Sequence, residues 1–189
     1  YRDEKFRTNF QSLALKEVDR ICDLVNELLS FARPSPLKVA AEKVNEIVAS
    51  IARILEMEAK ERNVKLQLYL DPKLPKVMIN KGQIKQVVMN VIMNGIQSIE
   101  NGGKLVVRTS LAKGDCSTLY FQIKIKDTGI GIREENIRNI FDPFFTTRAN
   151  GSGLGLAISQ QIIHEHGGCI DVLSKVGKGS TFFIKLPVQ

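Results

Sequence analysis

The stretch Gly-Ser-Gly-Leu-Gly-Leu at residues 151–156 is the point from which the fold can be worked out. It opens a segment with helical apolar spacing that runs to about His166. Glycines free backbone N–H groups to point at an anion, and the start of a helix adds positive potential. The turn is not a P-loop, because no Lys-Ser/Thr pair follows. It is not a dinucleotide fingerprint either, because no strand leads directly into it.

Two loops precede this turn. Residues 127–132 read Asp-Thr-Gly-Ile-Gly-Ile directly after a predicted strand. A carboxylate at a strand end can accept a hydrogen bond from the amino group of a base, and glycines let the backbone pass close to a flat ring. Residues 141–147 read Phe-Asp-Pro-Phe-Phe-Thr-Thr, which indicates an aromatic anchor for a neighbouring segment. A plain Asp-Gly turn and a small satellite core are the alternatives for these two loops.

A row of amides lies further upstream. Gln86, Asn90 and Asn94 are four residues apart on an otherwise apolar helix, so they share one face. An amide oxygen can complete a Mg²⁺ shell beside phosphate oxygens and water. Helix capping or hydrogen bonds in the core remain the alternative for these side chains.

The rest of the chain predicts a two-domain organisation. Residues 3–32 carry a helical apolar stripe, and Arg33-Pro34-Ser35-Pro36 ends that helix and places the domain boundary after residue 35. The second domain, residues 36–189, alternates helical and strand patterns irregularly. The predicted strands are Leu37–Ala40, Val64–Leu70, Val77–Ile79, Leu105–Leu111, Leu119–Lys126, Ile170–Ser174 and Thr181–Leu186, and the predicted helices are Asn45–Arg62, Lys81–Glu100 and Gly153–His166.

This order of elements, with a hairpin around Gly114-Asp115 and an antiparallel end, predicts an α+β fold. We expect a two-layer sandwich in which a mixed sheet packs on helices, preceded by one long helix.

Composition narrows the class of protein. Apolar residues make up 43% and charged residues 25%, as in a soluble globular protein. The net charge of +7 arises entirely from residues 36–189. The Lys and Arg of this segment are scattered without a dense run, which predicts a solvated surface and no nucleic-acid partner. Cys22, Cys116 and Cys169 are far apart, which indicates a reducing, cytoplasmic location. Since Tyr1 is no natural start, the chain is expected to be a piece of a longer protein, and a membrane anchor elsewhere in that protein is compatible with this sequence.

The four clusters, in this order and spacing, resemble the N, G1, F and G2 boxes of sensor histidine kinases, which share a superfamily with gyrase, Hsp90 and MutL. The resemblance covers residues 36–189 and implies the Bergerat-type ATP-binding fold. Residues 17–34 resemble the second helix of the family's dimerisation and phosphotransfer domain. The run Phe144-Phe145-Thr146-Thr147, followed by a basic residue and a short lid, is most similar to the nitrogen-regulation and sporulation kinase branch.

The resemblance implies ATP and Mg²⁺ as cofactors. Asn94 would coordinate Mg²⁺, and Asn90 would support the metal and the phosphates. Asp127 and Thr181 would recognise adenine. Thr147, Arg148 and the stretch Asn150–Gly155 would form the ATP lid. The full set of implied ATP-binding residues is Asn90, Asn94, Gln97, Asp127, Gly129, Gly131, Ile132, Thr147, Arg148, Gly151, Ser152, Gly153, Leu154, Gly155, Leu156 and Thr181.

Two departures from the family pattern sharpen the expectation. Many relatives carry a Lys where this chain has Gln97, and we take Arg148 as its replacement toward the phosphates. Hydrolysing members of the superfamily place a general-base Glu where this chain has Asn90, and a neutral amide cannot take that proton. ATP is therefore expected to be held for transfer. A nucleotide-gated conformational ATPase and a non-catalytic docking module are the alternatives.

The phosphoacceptor histidine is expected on a helix outside this chain. His164 and His166 are interpreted as the end of a helix before Gly167-Gly168, with a metal site including Cys169 as the minor alternative. The chain alone should then not phosphorylate itself. The implied partners are the protein's own dimerisation domain, a second copy in a homodimer, and a response regulator. The signal sensed and the identity of that regulator are not predicted.

Overall fold

The computed structural model describes residues 10–11, 14–15, 18, 21, 25, 38–113, 118–148 and 151–188. The chain divides into two compact units, Tyr1–Pro36 and Leu37–Gln189. In the first unit the described residues are helical, as predicted, and Leu15, Val18, Ile21 and Val25 are exposed apolar side chains. Its role as a dimerisation helix stays a prediction. No helix among the described residues is long and apolar enough to cross a membrane.

The second unit is built on a five-stranded sheet. Its strand order is β2-β4-β5-β7-β6; β2 and β4 are parallel, and the other neighbours are antiparallel. A separate antiparallel pair joins β1 to β3. In chain order the strands are β1 (Ala40–Glu42), β2 (Val64–Leu70), β3 (Val77–Ile79), β4 (Gly103–Lys113), β5 (Leu119–Asp127), β6 (Cys169–Lys175) and β7 (Gly179–Pro187).

The helices of this unit are α1 (Val44–Ile54), α2 (Glu56–Glu61), α3 (Lys81–Gln97), α4 (Glu134–Ile137) and α5 (Gly155–Glu165). The single helix predicted for Asn45–Arg62 is wrong in one respect, because the chain breaks at Leu55 into α1 and α2. Leu55 has φ −85° and ψ 0°, which interrupts the helix, although its N–H still bonds to the carbonyl of Ile51 at 3.0 Å and its side chain is buried. Helix α4 is too short to have a readable apolar period, and it was not predicted.

The core lies between one face of the sheet and helices α1, α3 and α5. Alternate residues of β4 and β5 are buried, including Leu105, Val107, Ile123 and Ile125, because successive side chains of a strand point to opposite faces. Helix α3 contributes a wide apolar stripe to the same core. This arrangement confirms the predicted two-layer α+β fold with a mixed sheet. The turn predicted at Gly114-Asp115 lies outside the described residues, but the antiparallel pairing of β4 with β5 is confirmed.

His166, at the C-terminal end of α5, contacts Asn80, which precedes the first residue of α3. Its Nδ1 lies 2.7 Å from the carbonyl oxygen of Ile162, and its Nε2 accepts a hydrogen bond of 2.9 Å from the N–H of Asn80. Asn80 in turn caps α3, since its side chain accepts from the N–H groups of Gly82 and Gln83. Both ring nitrogens of this buried histidine are thus used inside the fold, and neither is left for a metal.

Replacement of His166 by alanine is expected to destabilise the domain by about 2 kcal/mol, because the N–H of Asn80 loses its only acceptor among the described residues. Thermal or urea unfolding of the purified chain measures this loss. His164→Ala is the matched control, since His164 is exposed two residues away and should change stability by less than about 0.5 kcal/mol. Equal stability of the two variants would contradict the structural role of His166.

Candidate functional site

Asp127 ends β5 and is 2% exposed. Its Oδ1 accepts two backbone hydrogen bonds, one of 2.8 Å from the N–H of Gly129 and one of 3.1 Å from the N–H of Ser180. No described residue donates a hydrogen bond to the other oxygen, Oδ2. The carboxylate is therefore held in one orientation by two donors while a second acceptor position stays open for a ligand.

The loop after Asp127 packs tightly against two other elements. A β-carbon at Gly129 would collide with the backbone of Ser98, whose carbonyl accepts from the N–H of Ile130 at 3.0 Å. Gly131 has φ +74°, and a β-carbon there would collide with the carbonyl of Lys175. Both glycines thus allow close approach to other parts of this chain. The approach to an adenine ring that the sequence led us to expect stays a prediction. The N–H of Ile132 donates to Ser174 Oγ at 2.8 Å, so its backbone anchors the loop.

The structure does not place Thr181 on the same face of the sheet as Asp127. Thr181 pairs with Lys126 across β7 and β5, and the core-facing residues of β7 are Ser180, Phe182 and their alternates. Because side chains alternate along a strand, Thr181 points to the face opposite to that of Asp127. The β7 residue beside Asp127 is Ser180, which is buried and has its Oγ 2.9 Å from Ser174 Oγ.

The amides of α3 have different partners. Asn90 donates from Nδ2 to the carbonyl of Gly155 at 3.1 Å and lies 3.5 Å from Ser159 Oγ, so it ties α3 to the first turn of α5. One turn later, Arg148 donates from Nη1 to Asn94 Oδ1 at 3.1 Å and from Nη2 to the Asn94 carbonyl at 3.0 Å. The same Nη1 also donates to Gln97 Oε1.

Arg148 therefore sits where two amide oxygens converge. Partial desolvation, followed by the charge of Arg62, lowers the pKa of Arg148, and the charge of Asp127 acts in the opposite direction. The guanidinium remains a cation at neutral pH because its ordinary pKa is far above 7. The convergence of Asn94 and Gln97 on one cation shows that this end of α3 favours positive charge.

The glycine turn is joined to the Phe-rich segment mainly through the backbone. The N–H of Phe144 donates to the carbonyl of Gly153 at 3.1 Å, and Gly153 has φ +71° with no room for a β-carbon beside Phe144. Phe144 itself has φ +67° and a side chain that is 64% exposed, so its ring does not provide the predicted anchor. Leu154 is buried and Leu156 is half-buried.

The remaining lid residues are partly described. Thr147 is exposed, and the residue that bonds to the backbone of Arg148 is Thr146, at 3.1 Å. The N–H of Gly151 donates to the carbonyl of Arg148 at 3.3 Å, and Ser152 Oγ accepts from the N–H of Leu154 at 3.3 Å. Asn150 lies outside the described residues. Helix α5 begins at Gly155, two residues later than predicted, with both earlier glycines in the turn before it.

Sequence reasoning missed three residues of this site. Ser98 and Ser180 contact the loop and carboxylate of Asp127, as described above. Gly95 lies in the middle of α3, where a β-carbon would collide with Leu105 and lie 3.7 Å from the Cβ of Asp127. A lone glycine within an apolar helix is the signal that could have found it, because such a glycine often marks a close approach.

The chain is similar to proteins of known family. Residues 79–189 match the family model described as histidine kinase-, DNA gyrase B- and HSP90-like ATPase. Sensor histidine kinase ZraS of Escherichia coli strain K12 is 36% identical over 174 residues, which are 92% of this chain and 36% of ZraS. Sporulation kinase E of Bacillus subtilis strain 168 is 35% identical over 173 residues, or 92% of this chain and 23% of that kinase.

Among solved structures, histidine kinase ThkA in complex with the response regulator TrrA has a TM-score of 0.80 and 26% identity. The match covers all of this chain and 53% of ThkA. The chain thus spans about a third or less of the length of the two curated relatives named above. The chain belongs to the histidine kinase-, DNA gyrase B- and HSP90-like ATPase family and, within it, to the ATP-binding catalytic domains of sensor histidine kinases.

Proposed function

We propose that this chain holds Mg²⁺-ATP in a two-component sensor kinase and presents its γ-phosphoryl group to a histidine on the protein's dimerisation domain. The phosphoryl group then passes to an aspartate of a response regulator. The names of the relatives support this assignment, and so does the complex of ThkA with TrrA. The observation that carries it within this chain is the environment of Asn90.

Asn90 stands where a hydrolysing relative would hold a general base. Its amide is half-buried and bonded to the Gly155 carbonyl, with a serine hydroxyl as its other neighbour. An amide has no basic site at neutral pH, and none of these partners can activate a water molecule in its place. ATP bound here would stay unhydrolysed until a nucleophile from another domain reaches it, which favours a kinase over the conformational ATPase alternative.

Asn94 is the proposed protein ligand of Mg²⁺. Its Oδ1 already accepts from a cationic group, and a neutral amide oxygen is a hard donor of the kind that Mg²⁺ accepts. Bound Mg²⁺ would neutralise phosphate charge during transfer. We further propose that Arg148, released from Asn94 and Gln97, pairs with the phosphates and so supplies the charge of the missing family Lys.

The adenine end rests on Asp127. Its open Oδ2 is suited to accept from the adenine amino group, while Gly129 and Gly131 bring the backbone close to the ring. Ser180 replaces Thr181 as the proposed neighbour of that hydrogen bond. In this proposal the base lies near Asp127, beside Gly95 of α3, and the phosphates lie near Arg148, beside Asn94 and Gln97 of the same helix.

Phosphoryl transfer in the presence of Mg²⁺ and γ-labelled ATP tests this function. The full-length protein is expected to gain acid-labile label on its dimerisation domain, whereas this chain alone should bind ATP, stay unlabelled and release little phosphate. Adding the dimerisation domain to this chain should restore labelling of that domain. Steady phosphate release stimulated by dimerisation would establish the conformational ATPase instead, and label on this chain alone would refute the proposed division of roles.

A further inference from the structure

The face of the sheet that points away from the helices carries a cluster of basic side chains. We call Lys65, Lys104, Arg108, Lys124 and Lys126 the basic face. Their neighbours along β2, β4 and β5 are buried or half-buried, whereas Lys65, Lys104, Arg108 and Lys126 are exposed and Lys124 is half-buried. The alternation of the strands therefore collects on one surface charges that are widely separated in sequence.

The register of the strands places like charges directly opposite each other. Lys65 pairs with Lys104 across β2 and β4, and Arg108 pairs with Lys124 across β4 and β5. Like charges in such pairs destabilise a sheet. Residues 64–70, 103–113 and 119–127 are all described and contain one acidic residue, Asp127, which is buried on the other face. The exposed carboxylate of Asp171, on β6 of the same sheet, lies 3.0 Å from Lys185 Nζ. Among the described residues, none of the five cations of the basic face has an acidic ion-pair partner, so a bound anion would relieve their repulsion.

Aromatic rings on this surface are covered by its own cations. The guanidinium carbon of Arg108 lies 5.1 Å from the ring centre of Tyr69, and Lys124 Nζ lies 5.4 Å from that of Phe183. Tyr69, Arg108, Lys124 and Phe183 form one continuous row across four strands. Because both rings are occupied, the row offers positive charge and not a stacking platform for bases.

We propose that the basic face binds an extended acidic segment of a partner protein. Charge complementarity sets the sign of the partner, and a second copy of this chain would be repelled by the same cluster. Neighbouring strands of a sheet are rotated by about 20–25° from one another, so this surface is twisted. A flexible extended peptide can follow the twist better than a partner with a flat, rigid surface can. The absence of free rings within the row disfavours single-stranded nucleic acid as the occupant.

The basic face is separate from the nucleotide site. Asp127 and the helices lie on the opposite side of the sheet, and Asn94 and Arg148 lie at the end of α3 in the helical layer. An acidic segment on the basic face would leave ATP free to bind. The inference therefore stands whether or not the proposed phosphoryl transfer is correct, and the two can fail independently.

Fluorescence anisotropy with a labelled poly-glutamate peptide tests the proposal, with saturating ADP present to fill the nucleotide site. The unmodified chain should bind the peptide, and binding should weaken as salt rises. The double variant Lys104→Glu/Lys126→Glu is expected to bind about tenfold or more weakly, because both substitutions reverse charge on the contact surface. Its melting temperature should not fall, since Glu at position 104 would face Lys65 as an opposite charge.

A matched control variant has the same change in net charge, but at lysines outside the basic face. Lys73→Glu/Lys85→Glu alters two exposed lysines, one in the turn after β2 and one on α3, and should leave peptide affinity within about twofold. Equal weakening by both double variants would reduce the effect to net charge and overturn the proposal. Tighter binding of an oligothymidylate or of phosphatidylserine vesicles than of the peptide, lost in Lys104→Glu/Lys126→Glu, would overturn the acidic protein segment as the occupant.

Discussion

Replacement of Asp127 by asparagine is expected to weaken ATP and ADP binding about a hundredfold while the domain stays folded. The single amide oxygen of Asn can take the place of Oδ1 and keep the two backbone hydrogen bonds from Gly129 and Ser180. The NH₂ group then falls at the Oδ2 position and meets the adenine amino group donor to donor. Calorimetric titration with ADP and Mg²⁺ measures the loss, and thermal unfolding shows that the fold is kept.

Asp127→Ala separates the structural from the binding role. Alanine removes both oxygens, so two buried N–H groups lose their acceptor and the domain should lose roughly 2 kcal/mol or more of stability as well as nucleotide affinity. Undiminished ADP affinity of Asp127→Asn in a folded domain would show that this carboxylate does not recognise adenine. If Asp127→Asn lost as much stability as Asp127→Ala, the orientation of the Asp127 side chain would depend on its charge and not on the two hydrogen bonds.

Asp127 also shows which parts of the site were readable from sequence. Its place at the end of a strand followed from the alternation of β5, and the Gly-x-Gly spacing predicted the tight loop that the structure contains. The family's last-strand Thr was matched to Thr181, one residue beyond Ser180. Because the side-chain period of a strand is two, that single step moved the proposed contact from Ser180 on the core face to Thr181 on the outer face.

Other features depend on contacts that no local pattern encodes. The packing of Ser98 against Gly129 joins two segments that meet only when α3 lies on the sheet. The basic face escaped prediction for the same reason, since each strand contributes only one or two basic residues among apolar ones. Charges from β2, β4 and β5 become neighbours only through the register, which the sequence does not specify. Lysines that are far apart in a sequence can therefore form one charged cluster on the folded surface.

Asn94→Ala is expected to slow phosphoryl transfer in the full-length protein about a thousandfold, because loss of a Mg²⁺ ligand removes several kcal/mol of charge stabilisation. The substitution removes Oδ1 but leaves the backbone carbonyl at this position and Gln97 Oε1 as partners of Arg148, so the fold should be little affected. Nucleotide affinity with and without Mg²⁺ supplies a second measurement. The unmodified chain should bind ATP more tightly with Mg²⁺, and Asn94→Ala should lose most of that difference.

Arg148→Ala distinguishes the metal ligand from the cation that now contacts it. Without the guanidinium, Asn94 Oδ1 is released, so the Mg²⁺ dependence of binding should persist or increase. Affinity for ATP should fall more than affinity for ADP, because the lost charge is proposed to pair with the terminal phosphates. Full Mg²⁺ dependence in Asn94→Ala would remove Asn94 as the ligand, and unchanged ATP affinity together with unchanged transfer in Arg148→Ala would remove Arg148 from the phosphate site. Loss of the Mg²⁺ effect in Asn94→Ala, beside its retention in Arg148→Ala, is the result expected if one amide oxygen accepts from the arginine in the free domain and binds the metal in the nucleotide-bound domain.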